Sequence, residues 1–282
     1  MNTTRPKVLL TRILPPDSQK LIENARDIEL YCWKDEGAIP RNQLLKMAKG
    51  VDGILCMLTE KIDKELLDAA GHNLKVISTM SVGYDHVDIS ELCKKKIPLG
   101  YTPGVLTDAT ADITVLLVLA AGRRLQNDQW NDWSPTWMLV GLGRIGTATA
   151  HRLKPFIGTD GKIIYSGRTN KPEATNLGAA RVEFDKLLSE SDIFVNSARG
   201  AIVNQEDLCR ALSDGLLGSV GLDVTTPEPL PSDHPLLKFN NVTVVPHIGS
   251  STLETRTLMG NMAVENVLAG VRGEVLPNAV RM

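Results

Sequence analysis

Gly141-Leu142-Gly143-Arg144-Ile145-Gly146 is the stretch whose surroundings decide how this chain is read. Leu139-Val140 runs into it. Ile145, Ala148, Arg152 and Leu153 follow at helical spacing, and a second apolar run, Lys162-Ile163-Ile164-Tyr165, comes further on. That succession predicts a strand, a tight turn, a helix and a parallel strand. In such a unit Gly141 allows the turn, Gly143 lets backbone approach a pyrophosphate, and Gly146 lets helix and strand pack closely. The helix opening at Arg144 and Ile145 aims its unsatisfied N–H groups at the phosphates. The string alone also fits a glycine-rich surface turn; the flanking strand and helix favour a dinucleotide site.

The end of the second strand bears on which dinucleotide. It reads Gly167-Arg168-Thr169-Asn170-Lys171, without the carboxylate that would accept from a ribose 2′-hydroxyl and repel a 2′-phosphate. Arg168 can form charge-assisted bonds to a 2′-phosphate, Thr169 adds a hydroxyl and Lys171 a further charge. The expected cofactor is NADPH/NADP, with NADH less favoured. A solvated loop arginine is the competing reading of Arg168.

Outward from this centre the same alternation continues. Val8 to Leu10, Ile28 to Trp33, Gly53 to Leu58, Lys75 to Met80 and Ile97 to Tyr101 are short, branched, apolar runs. Helical patterns (Ser18 to Ala25, Arg41 to Lys49, Lys64 to Ala70) lie between most of them. Alternation of this kind predicts an α/β protein with parallel sheets covered on both faces. A helix is expected from Asp108 to about Leu125, capped by Thr107 or Asp108, with Ala111, Val115, Leu116, Leu119 and Ala120 as its apolar stripe. A second βα series runs from Leu139 to Gly249, and a final helix, Leu253 to Gly270, is expected back across the first domain. A length of 282 residues suits two domains. The expected division is 1–106 with 253–282 for substrate and 107–252 for the dinucleotide.

Composition narrows the function classes. A net charge of −2, with no like-charge block longer than Lys94-Lys95-Lys96, argues against nucleic acid as a partner. The longest apolar run, Ile113 to Gly122, is too short to span a bilayer, and Val8-Leu9-Leu10 is too short for a signal peptide. Cys32, Cys56, Cys93 and Cys209 are scattered without ligand-like spacing, so they read as reduced thiols, three on core faces, and no metal is expected. Cytoplasm is the default compartment.

Three polar residues carry the expected chemistry. His247 follows Val242-Thr243-Val244-Val245-Pro246, a strand running into a turn, and such strand ends are where α/β folds bind ligands. Its imidazole can hand a proton to a carbonyl oxygen while hydride arrives at the carbon. Glu228, between Pro227 and Pro229, is held in a stiff turn and, paired with His247, would fix its tautomer and favour imidazolium. Arg199 can fork onto a substrate carboxylate. Each alone reads as surface or structure; the ordered trio reads as a catalytic set. His86 and His234 are expected in structural or solvated roles, and His72 and His151 on helix ends or faces. Trp130, Trp133 and Trp137 crowd one segment, as a satellite core, a subunit interface or a lid.

With these residues in place the chain resembles the D-isomer-specific 2-hydroxyacid dehydrogenases, nearest their glyoxylate/hydroxypyruvate reductase branch. The strings that carry the resemblance are Val76 to Gly83, Gly100 to Pro103, Gly141 to Gly146, Asn196 to Gly200, Gly221 to Val224 with Pro227-Glu228-Pro229, and Pro246 to Ser250. The resemblance implies two doubly wound parallel-sheet domains, a Rossmann-type cofactor domain and a flavodoxin-like substrate domain. It implies catalytic roles for Arg199, Glu228 and His247, and substrate contacts from the Val82 and Gly83 amides and Ser250. It further implies cofactor contacts from Ser197, Asp223 and Gly249, and a homodimer in which the Trp133 region reaches the neighbouring subunit's site. The implied reaction is NADPH-dependent reduction of glyoxylate or hydroxypyruvate to the D-2-hydroxy acid.

The chain departs from the family's pattern at three places. It is shorter between Arg124 and Trp130. Most of the strand before the fingerprint is lacking between Trp137 and Gly141. After Ser191-Asp192 a strand and a cofactor-touching loop are gone, so the helix Phe184 to Ser189 runs almost directly into Ile193. Either the chain is truly shorter there or residues are missing between these positions; removing interior parallel strands should open the core, which favours the second. Three other readings stay open: a relative acting on another 2-hydroxy acid such as 3-phosphoglycerate, a corepressor-like dinucleotide sensor, and an inactive short form.

Overall fold

The computed structural model describes residues 5–123, 136–156, 162–167, 169–183, 186–187 and 193–282. It divides into two compact units, Met1–Val105 with Thr252–Met282, and Leu106–Ser251. No helix among the described residues is long and apolar enough to cross a membrane.

The first unit is a five-stranded parallel sheet. In chain order it holds β1 (Lys7–Leu10), α1 (Pro16–Glu23), β2 (Glu29–Cys32), α2 (Arg41–Met47), β3 (Gly53–Cys56), α3 (Lys64–Ala70), β4 (Val76–Thr79), α4 (Ile89–Lys95) and β5 (Leu99–Gly100), with sheet order β2-β1-β3-β4-β5. β3 and β4 are buried at every residue, as interior parallel strands must be, whereas the edge strand β2 alternates between exposed and half-buried. Leu9, Ile54, Ile77 and Leu99 join Leu44, Leu66, Leu67 and Leu92 in one core. Asp63 and Asp88 cap α3 and α4 by accepting from the amides of Leu66 and Glu91. β5 is two residues long, shorter than the run 97–101 suggests. Tyr101 N–H donates instead to Asn278 O, and Val280 N–H to Leu99 O, so the tail of the chain takes over the edge.

The final helix returns to this sheet and is packed closely by glycines. A Cβ on Gly270 would collide with the Val76 side chain, and one on Gly100 with Asn266. Asn266, fully buried in that helix, donates to Tyr101 O at 3.0 Å and accepts from Asn278 N at 2.9 Å.

The second unit begins with α5 (Thr107–Gly122) and continues through β6 (Thr136–Val140), α6 (Arg144–Leu153), β7 (Lys162–Ser166), α7 (Pro172–Leu177), β8 (Ala179–Arg181), β9 (Ile193–Asn196), α8 (Gln205–Ser213), β10 (Ser219–Leu222) and β11 (Val242–Val244). The returning helix is α9 (Leu253–Arg272). Three expectations are corrected here. The N-cap of α5 is Leu106, with no side-chain cap, rather than Thr107 or Asp108. Its buried face runs through Thr110, Ala111, Thr114, Leu117, Val118 and Ala121, leaving Leu116 exposed. The strand expected to be mostly lacking before the fingerprint is present over 136–140, which pair in unbroken register with 162–166.

The strands of this unit fall into two three-stranded parallel sheets, β6-β7-β8 and β11-β10-β9. β6 and β9 are in contact, but among the described residues no ladder joins them. Each sheet has its own core: Val118, Leu142, Ala150, Leu153, Ile163 and Tyr165 beside the first, and Phe194, Leu208, Leu212, Val220, Leu236 and Val242 beside the second. Of the four cysteines Cys56 alone is buried, where burial pushes its thiol well up; Cys32 and Cys209 are half-buried and Cys93 is exposed.

Candidate active site

β9, β10 and β11 are parallel neighbours, so their carboxyl ends leave the sheet along one edge. Ser197-Ala198-Arg199 follows β9, Asp223 to Glu228 follows β10, and Val245-Pro246-His247 follows β11. Each member of the expected trio is therefore delivered by its own strand to the edge where parallel sheets bind ligands.

Hydrogen bonds between these exits set the geometry. Asp223 N–H donates to Asn196 O at 2.9 Å, and His247 N–H donates to Asp223 O at 2.9 Å and to Val245 O at 3.0 Å. The buried Asp223 carboxylate accepts from the amides of Ile248 at 2.6 Å and Gly249 at 3.0 Å. Burial pushes that carboxyl above its ordinary value, and the two amide donors oppose the shift. His247 itself sits at φ +52°, in the left-handed region.

His247 Nδ1 lies 2.8 Å from Glu228 Oε2, while Glu228 Oε1 accepts from Thr225 N–H at 3.0 Å. With Glu228 ionised, Nδ1 carries the shared proton and Nε2 is the nitrogen left to work. The imidazole is half-buried, with its side chain 31% exposed. The Arg199 turn is held by Asn196, which donates to Arg199 O at 2.8 Å and accepts from Ala198 N–H at 3.0 Å. A Cβ on Gly200 would strike Thr225 O, so the Arg199 and Glu228 turns touch.

The glycine fingerprint stands at the carboxyl end of β6. Gly141 has φ +91°, a conformation glycine adopts without the Cβ penalty. Gly143 is the N-cap of α6, and nothing lies within 4 Å of where its Cβ would be. A Cβ on Gly146 would collide with Gly141 O, so the helix seats directly on the turn. Open space at the Gly143 N-cap, before the first amides of a ten-residue helix that starts at Arg144 and Ile145, fits a dinucleotide pyrophosphate. Ser197 Oγ lies 2.7 Å from Thr114 Oγ1, which donates to Thr110 O at 2.7 Å. The Thr114 proton being committed, Ser197 donates to Thr114 and keeps its lone pairs for a ligand's donor.

The remaining expected residues are placed as follows. Val82 and Gly83 follow β4 in the first unit, where Ser81 Oγ donates to Gly83 O at 2.7 Å and Thr102 N–H donates to Ser81 O at 2.9 Å. Ser250 is buried, two residues before Thr252, the N-cap of α9. Thr169 is exposed on the loop after β7. Arg168 and Trp133 lie outside the described residues. His234 caps the 3-10 turn Pro235–Lys238 through Nδ1, and His86 Nε2 meets Thr79 Oγ1 at 3.1 Å. Sequence reasoning missed Asn196 and Thr225 as the residues that shape the turns. Asn196 offered a signal, since an asparagine just past a strand readily bonds nearby backbone; Thr225 offered none.

Comparison with known proteins places the whole chain in one family. The family model for D-isomer specific 2-hydroxyacid dehydrogenase, catalytic domain, matches residues 8–281. The chain is 43% identical to glyoxylate reductase/hydroxypyruvate reductase of Mus musculus over 323 aligned positions, covering 98% of each chain. It is 40% identical to the Homo sapiens protein of the same name, again over 98% of each. An NADPH-dependent glyoxylate/hydroxypyruvate reductase from Sinorhizobium meliloti, solved with NADP and malonate, superposes with TM-score 0.74 at 26% identity, over 98% of this chain and 97% of that one. With 282 residues against 323 aligned positions and both ends covered, the chain is shorter inside than these relatives.

Proposed function

The chain belongs to the D-isomer specific 2-hydroxyacid dehydrogenase family, as an NAD(P)-dependent reductase of 2-oxo acids, and we propose that its substrates are glyoxylate and hydroxypyruvate and its preferred donor NADPH. The observation that carries this reading is the 2.8 Å contact of His247 Nδ1 with Glu228 Oε2, made where neighbouring strands end beside Arg199.

In the proposed reaction the nicotinamide, when bound, supplies a hydride to the 2-carbonyl carbon. His247 gives the proton on Nε2 to the carbonyl oxygen, which completes the D-2-hydroxy acid, and Glu228 holds the opposite nitrogen so that Nε2 faces the oxygen. Arg199 and the Val82 and Gly83 amides take the substrate carboxylate, and Ser250 adds a contact, so that the carbonyl is held for attack. The fingerprint amides of Gly143, Arg144, Ile145 and Gly146 hold the pyrophosphate. Ser197, Asp223 and Gly249 hold the nicotinamide half, and Arg168 with Thr169 the 2′-phosphate. In this assignment residues 1–106 with 253–282 serve the substrate and 107–252 the dinucleotide, in a homodimer to which Trp133 contributes.

The test is the loss of NADPH absorbance on adding glyoxylate or hydroxypyruvate to the purified chain. Turnover with either supports the reading, and none with either overturns it. Repeating the assay with NADH tests Arg168, since equal efficiency with both donors would remove the argument for NADPH.

A further inference from the structure

The Glu228 turn is held from outside by a residue to which neither the sequence nor the family comparison gives a role. Gln205 is the first residue of α8, whose N-terminus is capped by Asn204 Oδ1 accepting from the amides of Glu206 at 3.0 Å and Asp207 at 3.4 Å. The Gln205 side chain is thereby released from capping and reaches across to Thr226. Its Nε2 donates to Thr226 O at 2.7 Å, and its Oε1 accepts from Thr226 N–H at 2.7 Å. One planar amide so satisfies both backbone groups of one residue, as a strand neighbour would. The orientation is fixed by chemistry, because a flipped amide would put donor against donor and acceptor against acceptor.

Thr226 is the hub of the turn that presents Glu228. Its predecessor, Thr225, donates its N–H to Glu228 Oε1 and its hydroxyl to Pro227 O at 2.8 Å. Gly200 lies close against Thr225, and the short turn Gly200–Ile202 links it to Gln205. The segment that starts at Arg199 therefore grips the Glu228 turn at two points. Thr226 is exposed, so water would replace the Gln205 bonds at little cost to overall stability. What the clamp determines is where the carboxylate stands.

We propose that Gln205 is a positioning residue that fixes the Thr225–Glu228 turn and, through Glu228, the orientation of the His247 imidazole. This rests on the reading of Glu228 and His247 given above. Its test separates the two. The probe is the imidazole nitrogen spectrum of His247 by NMR in the full chain, for wild type, Gln205→Met (similar shape, neither bond), Gln205→Glu (keeps the acceptor for Thr226 N–H) and Glu228→Gln. The His247 signals of Gln205→Met should move toward those of Glu228→Gln, those of Gln205→Glu should move the same way because its second carboxylate oxygen would set an acceptor against Thr226 O, and adding Gln205→Met to Glu228→Gln should change nothing further. In turnover, Gln205→Met should lower kcat about tenfold with KM and NADPH affinity within about twofold, the pattern of lost alignment rather than lost binding. Unchanged His247 signals in Gln205→Met, or losses that simply add to those of Glu228→Gln, overturn the proposal. Should Gln205→Met not fold, Gln205→Glu decides by the same signals. Should the wild type reduce no 2-oxo acid, the functional reading falls while the spectra still decide the role of Gln205.

Discussion

His247 is the residue where backbone and chemistry meet most tightly. A non-glycine residue at φ +52° carries roughly 1 kcal/mol of backbone cost, and it persists because its surroundings leave no alternative. Its amide is tied to Asp223 O, and the Asp223 carboxylate ties the two amides that follow. Asp223→Ala should therefore lower unfolding free energy by about 2–4 kcal/mol, since two amides lose their acceptor, and urea unfolding checks it. At the other end of the unit, Gly146→Ala drives a methyl into Gly141 O. Dinucleotide affinity, read by fluorescence titration, should fall at least tenfold, on the order of 1.4 kcal/mol or more. His247, Glu228 and Arg199 were legible in the sequence because prolines and glycines mark the turns that carry them. Asp223 appeared only as an implied cofactor contact; its work in shaping the His247 turn depends on which amides fall within reach, a matter of strand register.

Among the elements, α9 shows which effect wins when propensity and packing disagree. Gly270→Ala would gain about 1 kcal/mol of helix propensity, yet the new methyl would overlap the Val76 side chain across a filled interface. Overpacking of this kind costs about 1–3 kcal/mol, so the urea midpoint should fall. The end of α9 carries a pH-sensitive tie: Arg272 donates to both oxygens of Asp27, at 2.7 and 3.0 Å, and holds its carboxyl below the ordinary value of 3.8. A lowered folded value means the tie stabilises above the unfolded value and is lost as pH falls through the folded one. Because the pair is largely exposed, the difference between wild type and Asp27→Asn should be at most about 1 kcal/mol at pH 7 and vanish on acidification, as paired unfolding curves would show. The alternation of strands and helices was legible from apolar periodicity. The phase of α5 was not, because that helix is apolar almost all round and only its neighbours select the buried face.

At the scale of the whole molecule, the two units differ in how their sheets are built. The first has five strands in one sheet; among the described residues the second has two sheets of three, β6-β7-β8 and β11-β10-β9. That arrangement was only half legible: the apolar runs showed the strands, but which strands pair in one ladder is a matter of tertiary register that the sequence did not carry. Calorimetry should show two transitions, the second unit melting first, and NADPH should raise the lower transition alone. A single transition, or a shift of the upper one, would contradict this account.

The central claim is that His247, oriented by Glu228, protonates the substrate oxygen, and its direct test is side-by-side turnover of glyoxylate by wild type and His247→Asn with NADPH. The account predicts an active wild type and a loss of about 10²–10⁴-fold in kcat, with NADPH affinity nearly unchanged. Equal turnover by the two proteins would contradict it.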